Sequence, residues 1–396
     1  MSSRYGGKIV TDGLILCLDA HDAKSYAGEP TTNLLLYPES INSGPTQESW
    51  SGTITQNAVI APDGTLTATK IEATSGYVYE VKAINTNYNG VSFGVGDTIT
   101  YSVWIKMLDG TQTASNGPYI WNYNSPTYGI VARDLSGLGP DWKLYKMTYT
   151  IQSHQTSFSM SYSASNGGVT GTYAIWHPQL EVKSYNTPYI ETSRSATNGW
   201  VDRSGNSNSG TLTNMIGTEV THYRDGQVIM PVANSYLEFD GTNDIVTISS
   251  PSFTTINTHS VCAWVNTDDV TGWRTIIDFD NDEWLLALNN KNFTTYDPTF
   301  YSGYYLTAGK WHHVCRTHES GGPVYLYLDG ALVYTSTNVS VSKTFSKINI
   351  GAGLSVGSST PNELWNGKIA QVQMYSRKLS TAEVLSNYNT TKSRFS

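Results

Sequence analysis

Residues 323–335 read PVYLYLDGALVYT, two runs of alternating side chains joined by Asp329-Gly330. A two-residue type I′ turn needs positive φ at both central positions, which Asp-Gly accepts, so this stretch is an antiparallel hairpin. The same period of two recurs on either side, in TITYSVWIKM (98–107), YAIWHPQLEV (173–182), SYLEFDGTNDIVTIS (235–249), HSVCAWVNT (259–267), WHHVCRTH (311–318) and GKIAQVQMYSR (367–377). In the first of these Tyr101, Val103 and Ile105 share one face, as a half-buried strand requires. Composition agrees: 27 Tyr, 11 Trp and 35 Gly with only 14% charged residues suit twisted sheets joined by polar turns. One helix is expected, at Ser380-Thr-Ala-Glu383, where hydroxyl and carboxylate form a capping box. The chain is therefore all-β, with a single short C-terminal helix.

A length of 396 residues exceeds one ordinary domain and predicts two. The formal charge is −8 and no cluster of five or more Lys/Arg occurs, which argues against nucleic acid or an anionic membrane as partner. No apolar run approaches the ~20 residues of a membrane span. The opening MSSRYGGKIVTDG has no apolar stretch of secretion-signal length, so synthesis in a host cytoplasm without export by the ordinary route is expected. Cys17, Cys262 and Cys315 sit singly in apolar runs without CxxC spacing and read as buried free thiols. Nothing resembles a phosphate-binding loop or a dinucleotide fingerprint.

From about residue 198 the pieces DRSGNSNSGTL (202–212), YLEFDGTNDIVTI (236–248), SVCAWVNT (260–267), KWHHVCRT (310–317), VYLYLDGALV (324–333) and NGKIAQVQMYSRKLSTAEVLSNYN (366–389) resemble a laminin-G-like, concanavalin-A-like jelly roll. The resemblance implies that GKIVTDGLILCLDAHDAKSY (7–26) is that fold's opening strand, and that Trp104, Trp264 and Trp311 are core. It also implies that His312 and His313 serve packing. The expected organisation is residues 1–31 and 197–396 as one jelly-roll sandwich, with 32–196 inserted as a second. Insertion at an exposed loop with close ends is physically tolerated. NLLLYPES (33–40), APDGTLTATKI (61–71), WKLYKMTYTI (142–151) and YAIWHPQLEVKSYNTPYIET (173–192) resemble carbohydrate-binding-module sandwiches. The PQLEV…TPYI ending, GGKIVTDGL and NYNTTKSRF are similar to segments of bacteriophage virion proteins.

Three groups of residues carry candidate chemistry. Sugar stacking asks for aromatic faces beside planar polar groups, and Tyr119, Trp121 and Tyr123 alternate in PYIWNYNSPTYG with Tyr128 nearby and Asn122 and Asn124 between them. The same alternation also describes a sandwich interior. Trp273 and Trp284 are further stacking candidates. Asp278, Asp280 and Asp282 in IIDFDNDEW stand at i, i+2 and i+4, facing one way on a continuous strand. Laminarinase-type hydrolases that share the jelly roll use an E-x-D-x-E triplet, but here Asp replaces both Glu, and an acidic turn is the plainer reading. The triplet, or Asp240, Asn243 and Asp244 of FDGTNDIV, could hold a structural calcium; otherwise the latter are turn residues. No cofactor is required.

The expected function is a non-enzymatic bacteriophage virion surface protein, a decoration, fibre or tail-associated protein that adheres to glycans. Its expected partners are capsid or tail proteins, sister copies in a homo-oligomer and cell-surface glycans. Two alternatives stay open: a purely structural decoration protein, and a glycoside hydrolase built on the Asp triplet.

Overall fold

The computed structural model describes residues 8–395 apart from 23, 27–29, 36–49, 77–78, 110–117, 127, 134–137, 162–170, 188, 216–222, 225–226, 229–235, 280–282, 296–298, 340–342 and 354–359. The chain is mostly β, in antiparallel sheets, and among the described residues it has one α-helix, Thr381–Thr391. It separates into two compact units. One comprises Met1–Glu29, Ser195–Thr221 and Pro231–Ser396; the other comprises Pro30–Arg194 with His222–Met230.

In the first unit two seven-stranded sheets face each other. One runs in the order Leu14–Asp19, Asn366–Tyr375, His259–Thr267, Trp311–His318, Pro323–Leu328, Ala331–Asn338, with Leu237–Asp240 also paired to Asn366–Tyr375. The other runs Thr211–Thr213, Ile245–Ile248, Ile348–Ile350, Trp273–Phe279, Glu283–Asn289, Asn292–Thr295, Phe300–Tyr305. Alternate residues meet between them: Val261, Ala263 and Val265 from the first sheet, Phe279, Ile348 and Ile350 from the second. The Val, Ile and Phe side chains among these each contribute about 1.5–3 kcal/mol by leaving water. The hairpin at 329–330 has Asp329 at φ 51° and Gly330 at φ 80°, as its turn type demands. The opening strand reaches its neighbour across the whole chain, Cys17 standing opposite Gln373. Asp202 fastens that strand, accepting the Cys17 amide at 2.9 Å while its other oxygen holds the Asn208 amide.

The C-terminal helix lies over the outer side of the first sheet. Ser380 and Glu383 form the reciprocal cap, and Arg377 grips the Glu383 carboxylate. Those contacts, the guanidinium first and the Ser380 amide second, pull the Glu383 carboxyl down to about 2. Beneath the helix Cys262, Cys315, Tyr327, Tyr375, Leu379 and Val384 make a second, smaller cluster.

Two expectations are corrected here. Cys262 and Cys315 are not free thiols: they stand opposite each other on neighbouring strands and form a disulfide. Sheet register brings them together across 53 residues, a relation that chain spacing does not display. Cys17 does remain a buried free thiol, pushed up to about 12 by burial first and by Asp19, Asp202 and Asp22 next. Of the three tryptophans expected in the core, Trp104 and Trp264 are buried, at 2% and 3% exposed, and only Trp311 differs, being half-buried. Trp264 and Trp311 alternate with the core residues Val265 and Val314 and so belong to the outer side of their sheet. Trp104 is buried in a smaller core cluster of its unit, with Ala61, Ala68 and Trp176.

The second unit is a sandwich of a four-stranded sheet (Gly129–Arg133, Tyr119–Asn122, Ser157–Ser161, Tyr79–Ala83) and a five-stranded one (Lys143–Thr150, Thr98–Asp109, Gly171–Glu181, Ala68–Gly76, Trp50–Val59). Tyr101, Val103, Ile105, Ile120, Phe158 and Ile175 fill it. Its two ends leave side by side, Thr31–Thr32 pairing with Ser193–Arg194. Buried Asn33 clasps them: its amide donates to the Pro178 and Ile190 carbonyls, and its oxygen accepts the Leu35 and Leu180 amides. The opening NLL and the closing PQLEV…PYI are thus two halves of one fastening.

Candidate functional site

The strand Tyr119–Asn122 positions the first aromatic candidates. Ile120 points into the core, so Tyr119 and Trp121 fall on the opposite side. They do not present equal surfaces. Tyr119 is only 3% exposed, and the Arg133 guanidinium lies 5.1 Å from its ring centroid, delivered by the neighbouring strand in register. Trp121 is half-buried and meets the Tyr128 ring edge-on at 5.4 Å and 86°. Tyr128 is 67% exposed. Tyr123 is half-buried and donates its hydroxyl to Ser159. Asn122 and Asn124 hold the turn: the Asn122 amide group donates to the Asn124 carbonyl, and Asn124 N–H donates back to Asn122 Oδ1.

Tyr128 stands at the mouth of a groove of about 540 Å³ whose other walls are Ile130, Val131, Tyr149, Gln152 and His154. Ile130 and Val131 come from an edge strand of one sheet, and Tyr149 from an edge strand of the other. The groove therefore runs along the open side of the sandwich. Tyrosine faces beside an amide and an imidazole are the side-chain set that stacks on a pyranose ring and hydrogen-bonds its hydroxyls. Tyr149, Gln152 and His154 were not anticipated. They are separated from Tyr128 in the chain and adjoin it only through the meeting of the two sheet edges.

In the other unit, Trp273 is half-buried against Tyr301 at 6.3 Å. Tyr301, Tyr304 and Tyr305 on the edge strand beside it are 47%, 50% and 61% exposed, an aromatic patch that the run FYSGYY could have signalled. Trp284 stands opposite Asp278 in register, and its side chain lies outside the described part. Asp278 faces away from the core, fully buried, with Asn349 Nδ2 3.4 Å from its Oδ2. Asp280 and Asp282 lie outside the described residues, so the triplet is represented by Asp278 alone.

The Asp240–Asp244 segment has the hydrogen bonds of a turn. Asp240 Oδ1 accepts the amides of Thr242 and Asn243, and Asp244 Oδ2 accepts the Asp240 amide. Asn243 is exposed, and its carbonyl accepts from Asn214. Asp244 Oδ1 is buried without a hydrogen-bond partner. Burial, opposed by the Asp240 amide and assisted by the Asp240 charge, pushes the Asp244 carboxyl up to about 6. Among the described residues no group of three or more His, Cys, Asp or Glu side chains is gathered as metal ligands.

Residues 240–385, a little over a third of the chain, match the family model of the concanavalin A-like lectin/glucanases superfamily, laminin-G type. No curated protein matches the chain. Among solved structures, domain 4 of AbnA, a GH43 extracellular arabinanase from Geobacillus stearothermophilus seen in complex with arabinotriose, is 20% identical over 49% of this chain and 94% of its own, with a TM-score of 0.36. A heptameric SAP-like pentraxin from Limulus polyphemus is 17% identical over 37% and 78%, with a TM-score of 0.32. A botulinum neurotoxin type C structure, described as dependent on two ganglioside molecules for cell entry, is 14% identical over 48% of each chain, with a TM-score of 0.36. These structures are too distant to bear on function. The first unit has the jelly-roll sandwich of the lectin-like superfamily its sequence matches.

Proposed function

We propose that this protein is a non-enzymatic, glycan-binding adhesin carried on the surface of a bacteriophage virion. The observation that carries the binding claim is the exposed Tyr128 ring, braced by Trp121, at the mouth of a groove that also offers Tyr149, Gln152 and His154. The lectin-like superfamily match of the other unit agrees with a binding role. The virion setting is supported by the similarity of GGKIVTDGL and NYNTTKSRF to phage virion segments. Capsid or tail proteins and sister copies are the proposed protein partners, since surface proteins take the symmetry of their mounting site. Repeated copies turn a single-site affinity on the order of millimolar into firm attachment.

A purely structural role is the second reading, and Tyr119 favours it: a ring sealed under Arg133 packs and does not stack on a ligand. A glycan array probed with the whole chain and with Tyr128→Ala separates the two. The adhesin reading expects hits that the variant loses while its melting temperature is unchanged. An empty array, or hits that Tyr128→Ala retains at full strength, removes the groove as the binding site.

A further inference from the structure

The outer side of the first unit's helix-covered sheet holds a row of touching aromatic rings. Trp264 stacks on Phe395 at 4.4 Å and on Tyr388 at 5.6 Å, and its indole N–H donates to Thr391. Trp311 meets Phe395 at 4.9 Å and Tyr236 at 5.9 Å. Trp264 is buried, but Trp311, Tyr388 and Phe395 keep part of their faces in solvent. They line an open groove of about 430 Å³, within the size range of small-ligand sites. Ordinary helix packing is done elsewhere, by the cluster around Val384 and Leu379; the aromatic end of the helix leaves a groove.

The groove's charged groups are arranged unevenly. Lys310 and Lys392 line it, and among the described residues neither meets a carboxylate. Lys392 rests over the Tyr388 ring and donates to Asn389. Asp329 supplies an acceptor on the same wall, fixed by His312 Nδ1 and the His313 amide, each at 2.9 Å. Burial raises its pKa, but those two hydrogen bonds prevail and hold the carboxyl below its ordinary value, so it stays ionised. Partly exposed rings offer stacking faces, a fixed carboxylate accepts hydroxyls, and two ammonium groups that meet no carboxylate among the described residues attract negative charge.

We infer that this groove is a second, separate ligand site, and that it takes an anionic oligosaccharide bearing carboxylate or sulfate groups. Single-stranded nucleic acid also stacks on rings beside lysines. Here Asp329 and the chain's charge of −8 disfavour a continuous phosphate backbone and favour sparse charges among hydroxyls. The site does not depend on the groove at Tyr128.

Tryptophan-fluorescence titration in the Tyr128→Ala background tests it, with tetragalacturonate, neutral cellotetraose and a short oligothymidylate as probes. Tetragalacturonate should bind, more weakly at high salt, and about tenfold more tightly than cellotetraose, the size expected for two exposed ion pairs. Lys310→Glu with Lys392→Glu should remove that preference without moving the melting temperature, and Trp311→Ala should weaken both sugars. A tetragalacturonate affinity that charge reversal leaves unchanged, no binding in the Tyr128→Ala background, or tighter binding of the oligothymidylate overturns the inference. The second of these outcomes leaves the Tyr128 groove standing, so the two claims fail separately.

Discussion

Asp244→Asn should make the protein more stable at neutral pH and leave it unchanged in acid. Asp244 is 4% exposed, with one carboxylate oxygen on the Asp240 amide and the other buried without a partner. Its carboxyl ionises at about 6 in the fold against an ordinary 3.8. Below 3.8 the folded and unfolded chains both carry the proton, and this group subtracts nothing. As pH rises the unfolded chain ionises first, so stability is lost through the interval up to about 6 and stays lost above it. The gap corresponds to about 3 kcal/mol at about 1.4 kcal/mol per pH unit, an upper limit because an asparagine amide must still be accommodated. Asparagine keeps an oxygen for the Asp240 amide and cannot ionise. Urea denaturation at about pH 3 and about pH 7.5 reads the effect. The variant should gain about 1–3 kcal/mol over the parent at the higher pH and differ by less than about 0.5 at the lower. Equal stability at both pH values, or a loss at neutral pH, would refute the reasoning.

Replacing both Cys262 and Cys315 by alanine should lower stability by up to about 4 kcal/mol, the loop-closure value for 53 residues, read as a shift in urea midpoint that reductant reproduces in the parent. Asn33→Ala strands two carbonyls and two amides at the ends of the inserted unit; a loss of about 3 kcal/mol is expected, measured as earlier melting of that unit. Millimolar calcium should leave the melting temperature unmoved, because the Asp240 carboxylate already holds its own turn. A rise of several degrees that Asp244→Asn abolishes would restore a metal at that turn.

What could be read in the sequence was local chemistry. The Asp329-Gly330 turn and the Ser380–Glu383 cap depend on residues a few positions apart, and both form as their side chains require. Period-two patterning likewise gave the all-β class. It tells which residues share a face, though, and not which face is the core. In His259–Thr267 all nine residues are buried, one face by the opposite sheet and the other by the helix and tail. Val261 and Trp264 are therefore equally apolar signals, both buried but with different partners, while Trp311, expected in the core, is half-buried. The disulfide and the Arg133 cover over Tyr119 arise from cross-strand register, which no spacing in the chain encodes. Tyr149, Gln152 and His154 join Tyr128 only where two sheet edges meet.

The measurement that tests the central claim most directly is a 1H–15N correlation spectrum of the indole N–H groups during titration with a glycan to saturation. If the Tyr128 groove binds glycan, the Trp121 indole resonance shifts progressively with ligand, and the shift vanishes in Tyr128→Ala. If every glycan that binds the chain leaves Trp121 unmoved, or if no glycan shifts any indole, the Tyr128 groove is not a glycan site and the central claim is contradicted.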